Sequence, residues 1–291
     1  MDIALHLGAH LTDEGRLLRC LSKNHGLLAD QGIEVPEHAR YRDLLLGLAQ
    51  ADRDAPLGPD AGQVLLDSLL DGENPKRLIL SEPDILAWPG GAARKAHFYP
   101  AATHRLQSLR EAFADENVML FLAIRNPASF LPALLNRVKR GQAEKILKSI
   151  QPEKLRWSAF IQSLRTTWPE AQLTVWCDED TPFIWHKLLQ EVGGCDPQTQ
   201  LAHSFDWFNE VMIAGGAEKL EAYLTATPPV DDTHRQRVIG AFLDKFYDES
   251  KVDVDVSITG WDAERVDLLS ALYDEDVVTL SALDGVSMIQ P

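Results

Sequence analysis

The sequence predicts an α/β fold, a three-layer sandwich with a mostly parallel central sheet and a helical C-terminal layer. Three observations lead there. Short apolar runs alternate with amphipathic helical patterns as far as Gly194. The first run passes through a glycine-containing loop into a helix, which is how α/β proteins build an anion site. Beyond Gly194 the strand signal nearly stops and helical patterns take over. Strands alternating with helices imply parallel pairing through right-handed crossovers. At 291 residues the chain can bury one large core, so residues 1–291 are expected to form one domain, with 1–194 building the sheet and 195–291 the helical layer.

Four runs read as buried strands: Ile3–Leu7, Arg77–Leu80, Val118–Ile124 and Gln172–Trp176. Each is short and mostly apolar, with polar or turn residues near its ends. Between them the spacing predicts helices over Arg16–Ala29, Asp43–Ala49, Gly62–Leu70, Pro100–Phe113, Ala128–Lys139, Glu153–Thr167 and Pro182–Val192. The Pro/Gly-containing stretch Ala55–Gly62 separates two of them, and Pro100 and Pro182 sit where a first helical turn favours proline. Later helices are expected over Phe205–Val211, Glu218–Leu224, Thr233–Tyr247 and Asp262–Ala282, with Asp248–Thr259 as a polar connector. Trp157, Phe160, Leu164 and Trp168 share one helical face, which points to core packing. No internal repeat or low-complexity tract interrupts the pattern.

Composition excludes several classes. The net charge is −16, which suits neither nucleic-acid binding nor polyanionic partners. The charge is uneven. From Asp231 onward five basic residues face fourteen acidic ones, whereas Arg137–Arg165 carries eight basic against two acidic residues. No apolar run approaches the roughly 20 residues of a membrane helix. The start of the chain lacks the basic, long-apolar pattern of a secretory signal. Cys20, Cys177 and Cys195 are far apart, fitting free thiols in a reducing, cytoplasmic setting. His97, His104, His186, His203 and His234 show no metal-ligand spacing, so no metal is expected. The sequence contains no Gly-x-Ser-x-Gly, no Walker A loop and no Gly-x-Gly-x-x-Gly.

The Val118–Ile124 run delivers Arg125 and Asn126 at its carboxyl end, and Pro127 opens a helix. In open α/β sheets ligands bind outside the carboxyl ends of the strands. An arginine there can hold a phosphate through two hydrogen bonds, and the following helix start adds amides. His6-x-Gly8-x-His10, Ile124-Arg125-Asn126-Pro127 and the late Tyr273-x-Glu275-Asp276 occur together. With Leu80-Ser81-Glu82 and Phe98-Tyr99-Pro100, they make the chain resemble bacterial members of the sulfotransferase family nearly end to end. The resemblance implies a P-loop-like sandwich that transfers a sulfuryl group from PAPS to a hydroxyl or amine acceptor, small-molecule or saccharide.

By that resemblance the donor would be held by Gly8, Ala9, Thr12, Gly15 and Arg16 in the first loop. Arg125, Asn126 and Ser129 in the second loop, with Arg137 beyond it, would complete the grip. Glu82, at the end of a strand on the same rim, is the candidate base, with His10 in the loop as its companion. The chain also departs from the family. Leu11 stands at the loop lysine position, Asp13 and Glu14 replace a glycine and a threonine, and Ala133 replaces a serine. A carboxylate ~4–5 Å from a phosphate is repulsive by roughly 1 kcal/mol even in water. Asp13 and Glu14 are also natural caps for the first helix. Two alternatives therefore stand beside PAPS-dependent transfer. One is a non-catalytic binding or interaction protein with a decayed donor site. The other is a nucleotide-binding transferase with a different donor. Acceptor identity and oligomeric state leave no signature in the sequence.

Overall fold

The computed structural model describes residues 1–51, 58, 60–70, 74–252, 258 and 260–291. Strand β1 (Asp2–His6) lies in the middle of a parallel sheet. In chain order the others are β2 (Ile33–Glu34), β3 (Arg77–Ser81), β4 (Ala93–Arg94), β5 (His97–Phe98), β6 (Asn117–Ile124), β7 (Gln172–Cys177) and β8 (Val286–Ile289). The sheet runs β2-β3-β1-β6-β7-β8, while β4 and β5 form a separate antiparallel ribbon. Register places His6 between Ser81 and Phe121. Backbone pairing continues past β1, since Leu7 N–H donates to the Phe121 carbonyl at 2.8 Å and Ala9 N–H to that of Ala123 at 3.0 Å.

Both faces of the sheet are covered, which explains why its strands are apolar throughout rather than alternating. Ile3, Leu5 and Leu7 of the first strand segment pack into one layer with Tyr41, Leu106, Phe130, Trp157 and Tyr273. That layer holds the helices Ala102–Ala112, Pro127–Arg137, Trp157–Thr167 and Ala263–Ser281, among others. Ala4, on the opposite face, packs with Leu17, Phe121, Trp176, Trp185 and Phe208. This second layer holds the helices Arg16–Lys23, Thr181–Gly193, Gly216–Ala226 and Asp232–Phe246. Trp157, Phe160, Leu164 and Trp168 are all buried, in line with their common helical face.

Several boundaries differ from expectation. The first helix is not continuous over Arg16–Ala29, because Asn24 divides it into Arg16–Lys23 and His25–Ala29. The Asn24 side chain reaches away to pair with Ala202, donating to its carbonyl and accepting from its amide, so it competes with the helix backbone. The helix expected over Ala128–Lys139 ends at Arg137. Val138 turns extended, and a new helix covers Arg140–Ser149. The helix expected from Glu153 starts at Trp157, where Asp276 accepts the backbone amides of Trp157 and Ser158 at 2.5 and 3.2 Å. The Asp43–Ala49 helix begins earlier, at His38, and Asp206–Glu210 is a 3-10 helix.

The C-terminal layer is not purely helical. After Gly285, at φ +73°, the chain returns to the sheet as β8 beside β7. Four residues at an edge carry too little pattern to stand out from a loop. The connector Asp248–Thr259 contains a short helix, Glu249–Val252, and otherwise lies largely outside the described residues, as does half of Ala55–Gly62. The three cysteines are free and buried. No helix among the described residues is long and apolar enough to cross a membrane.

One glycine fixes a helix–helix approach. A Cβ on Gly62, in the Ala61–Leu70 helix, would lie 1.7 Å from the Ala112 carbonyl oxygen. Backbone cannot yield as a side chain does, so Gly62→Ala is expected to cost about 2–3 kcal/mol. Urea unfolding monitored by circular dichroism would register this as a lower midpoint, and an unchanged midpoint would refute the close approach.

Candidate functional site

The chain leaves β1 toward the second helical layer and leaves the adjacent β6 toward the first. Where neighbouring parallel strands diverge in this way, a crevice opens at their carboxyl ends. Here it is a cleft of about 780 Å³. Thr12 and Arg16 line it from the β1 loop, Arg125 and Ser129 from the β6 loop, and Asp178 and Thr181 from the end of β7. A second cavity of about 620 Å³ lies on the other side of the β1 loop. Gly8, Ala9, His10, Gly15 and Arg137 face this one, together with His6 and Trp88. Glu82 and Asn126 line neither. The predicted residues are thus near one another but divided between two compartments by the 8–15 loop.

That loop is held by its own chain. Gly8 sits at φ +91°, and a Cβ there would lie 3.0 Å from Pro83 Cβ, so only glycine passes without displacement. Leu11 and Glu14 also have positive φ. Thr12 Oγ1 donates to the Ala9 carbonyl at 2.7 Å, so the hydroxyl closes the loop instead of facing outward. Asp13 accepts the Leu17 amide at 2.9 Å through its carboxylate and the Arg16 amide at 3.0 Å through its carbonyl. A negative side chain therefore already occupies the start of the Arg16–Lys23 helix, where the macrodipole favours it.

The second loop is committed in the same manner. Arg125 Nη1 donates to the Leu11 carbonyl at 2.5 Å, and its Nε to Ser129 Oγ at 3.0 Å. The Asn126 amide donates to Glu179 Oε1 at 2.8 Å, and Asn126 Oδ1 caps Ala128 N–H at 2.9 Å. Glu179 also accepts from the Tyr273 hydroxyl, at 3.1 Å. Trp157 Nε1 donates to the Arg125 carbonyl at 2.8 Å. Arg16 pairs with Glu210 at 2.8 Å and lies over the Trp207 ring.

Glu82 is almost fully buried. It accepts the Asp84 amide at 2.9 Å, while Arg42 and His38 lie 3.1 and 2.9 Å from its other oxygen. Those bonds leave it a structural centre rather than a base open to a substrate. His10 is buried between Asp84, 3.1 Å from Nε2, and the Tyr99 hydroxyl, 3.0 Å from Nδ1. Burial opposes charge on Asp84, but the His10 and Arg42 hydrogen bonds outweigh it and hold the carboxyl below the usual range. His6 donates or accepts at Ser81 Oγ, 2.8 Å away, and its Nε2 has no partner among the described residues. Burial pushes the His6 pKa down, partly offset by nearby Asp13, so the ring stays neutral.

Asp178 was not anticipated. It follows β7 directly, the same placement that singled out Arg125 after β6. Burial pushes its carboxyl up to about 7, against the opposing pull of Arg125. Thr181 Oγ1 and Trp207 Nε1, also on residues of the cleft lining, are buried without a partner among the described residues. No group of three or more His, Cys, Asp or Glu residues among those described is arranged to hold a metal ion. No family model matches the chain, and no curated protein or solved structure resembles it at a significant level.

A raised carboxyl has a sign that can be checked. Between about pH 4 and 7 the folded chain keeps a proton on Asp178 that the unfolded chain releases, so stability falls as pH rises through that window. Asp178→Asn abolishes this titration. At pH 8 the variant should exceed the wild type by up to about 4 kcal/mol in urea unfolding. The two should converge below pH 4, and a pH-independent difference would refute the shift.

Proposed function

We propose that this chain is a small-molecule-binding protein on a sulfotransferase-like scaffold, with its ligand site in the cleft between the β1 and β6 loops. One observation carries the reading. At both helix starts the chain's own groups take an amide that could face an anion, Asp13 that of Leu17, Glu179 that of Asn126 and the Asn126 side chain that of Ala128, while a cleft of about 780 Å³ stays open beside them. The residues present do not fit the family's phosphosulfate grip. Its cation is replaced by Leu11, and Asp13 brings a carboxylate to the start of the following helix.

A second reading, PAPS-dependent sulfuryl transfer with a rewired donor site, is favoured by the meeting of Arg16, Arg125, Ser129 and Thr12 on that same cleft. Calorimetry separates the two. The binding-protein reading expects no heat from adenosine 3′,5′-bisphosphate at millimolar concentration. Binding weakened by a few kcal/mol in Arg125→Ala would establish the donor reading in its place.

The site itself is tested by filling it. Gly240 lies on the cleft wall, and a Cβ there would meet Phe183 at an ordinary 3.8 Å. Gly240→Leu should therefore fold and occlude the cleft. In ligand-observed NMR with a chemically broad fragment set, fragments that bind the wild type should lose their signal with Gly240→Leu. Retention of every hit would place binding elsewhere and refute the assignment.

A further inference from the structure

The chemistry of the cleft lining selects a class of ligand, on the premise that the cleft is the binding site. Four carboxylates line it, Glu14, Asp178, Glu179 and Asp244, against two guanidiniums, Arg16 and Arg125. Both arginines are engaged, Arg16 with Glu210 and Arg125 with the Leu11 carbonyl and Ser129. Glu179 is engaged by the Asn126 amide and the Tyr273 hydroxyl, and Glu14 lies 3.9 Å from Arg137. Asp178 and Asp244 have no hydrogen-bond or ion-pair partner among the described residues. The surplus in the cleft is negative, as it is over the whole chain.

The remaining wall is aromatic and aliphatic, formed by Phe183, Trp207, Val211, Leu243 and Tyr247. Trp207 is 6% exposed and Thr181 8%, yet Nε1 of the first and Oγ1 of the second lack partners among the described residues. Neither atom is accessible from the cleft, so the groups a bound molecule would meet are the carboxylates and the apolar and aromatic surface of the wall. An acidic group set against aromatic faces suits a cation with an apolar body, through a charge-assisted hydrogen bond at one end and cation–π and apolar contact along the rest. An anion would meet the carboxylates, and a simple metal ion would leave the aromatic wall unused.

We propose that the cleft binds an organic amine with an apolar body, its ammonium group against Asp178 and its body against Phe183, Trp207 and Tyr247. Four charged groups act on Asp178. Arg125 and Arg16 favour its ionised form, and Glu179 and Asp13 oppose it. With its carboxyl at about 7, Asp178 is largely protonated in mild acid, and the ammonium must displace that proton. Affinity therefore rises with pH up to about 7 and levels off above it.

Three probes of similar shape test this by calorimetry on the full chain: 2-phenylethylamine, 2-phenylethanol and 3-phenylpropionate. The amine should bind at least about tenfold more tightly than the alcohol, with the acid weakest, a separation of ~1.4 kcal/mol or more. Asp178→Asn should weaken the amine by about tenfold and leave the alcohol unchanged. The amine's affinity should climb between pH 5.5 and 7.5, a window set on either side of the Asp178 carboxyl. Equal or tighter binding of the acid, or an amine affinity unchanged in Asp178→Asn, overturns the proposal. So does failure of all three probes to bind at millimolar concentration. Fragments of other classes lost in Gly240→Leu would then keep the cleft as the ligand site while removing the amine as its ligand. Amine binding retained in Gly240→Leu would refute the cleft itself.

Discussion

The guanidinium of Arg125 is the joint on which the centre of the molecule depends. It leaves the carboxyl end of β6, reaches across to the Leu11 carbonyl in the β1 loop, and braces Ser129 at the start of its own helix. Its backbone carbonyl is held in turn by the Trp157 indole. Trp157 stacks on Phe98 at 3.7 Å between centroids and is fully buried, so the joint is anchored in the core of the first layer. A charged group used this way is costly to desolvate, and its hydrogen bonds are what make it tolerable. The same bonds leave little of it for a ligand.

The terminal motif Tyr273-x-Glu275-Asp276 has a structural explanation in the same region. Asp276 is buried and caps the helix that begins at Trp157, accepting its first amides and the Ser158 hydroxyl. Tyr273 supports Glu179, which holds the Asn126 amide. The long Ala263–Ser281 helix thus secures both Arg125 and the loop around it from behind. Carboxylates from Asp13, Glu179 and Asp276 each occupy a place where exposed amides would otherwise attract an anion. The acidic character of the chain is in this sense spent internally, on completing helix starts, as well as on the surface.

What was legible in the sequence follows from how much signal each element carries. The four apolar runs were long enough to be read as strands, and the parallel order brings Gly8–Arg16 and Arg125–Ser129 together as their places after strands suggested. The two-residue strands β2, β4 and β5 and the four-residue β8 carry no period to detect. Helix ends at Asn24 and Trp157 are set by Ala202 and Asp276, far away in the chain. The character of Glu82 likewise depends on Arg42 and His38, whose approach no local pattern announces. Asp178 differs from these, because its position after a buried strand was visible and the rule that selected Arg125 applies to it equally.

The 8–15 loop is a partition, and Leu11 and Glu14 form part of both of its walls. Two compartments that share these side chains are not chemically separate, because a change at Leu11 or Glu14 alters the lining of both. A molecule that presses Leu11 or Glu14 aside from one chamber alters the volume and charge offered by the other. By thermodynamic reciprocity, whatever factor one occupant imposes on the second, the second imposes on the first. The Trp88 side and the Trp207 side are therefore joined through Leu11 and Glu14, and the chemistry of one wall is set together with that of the other.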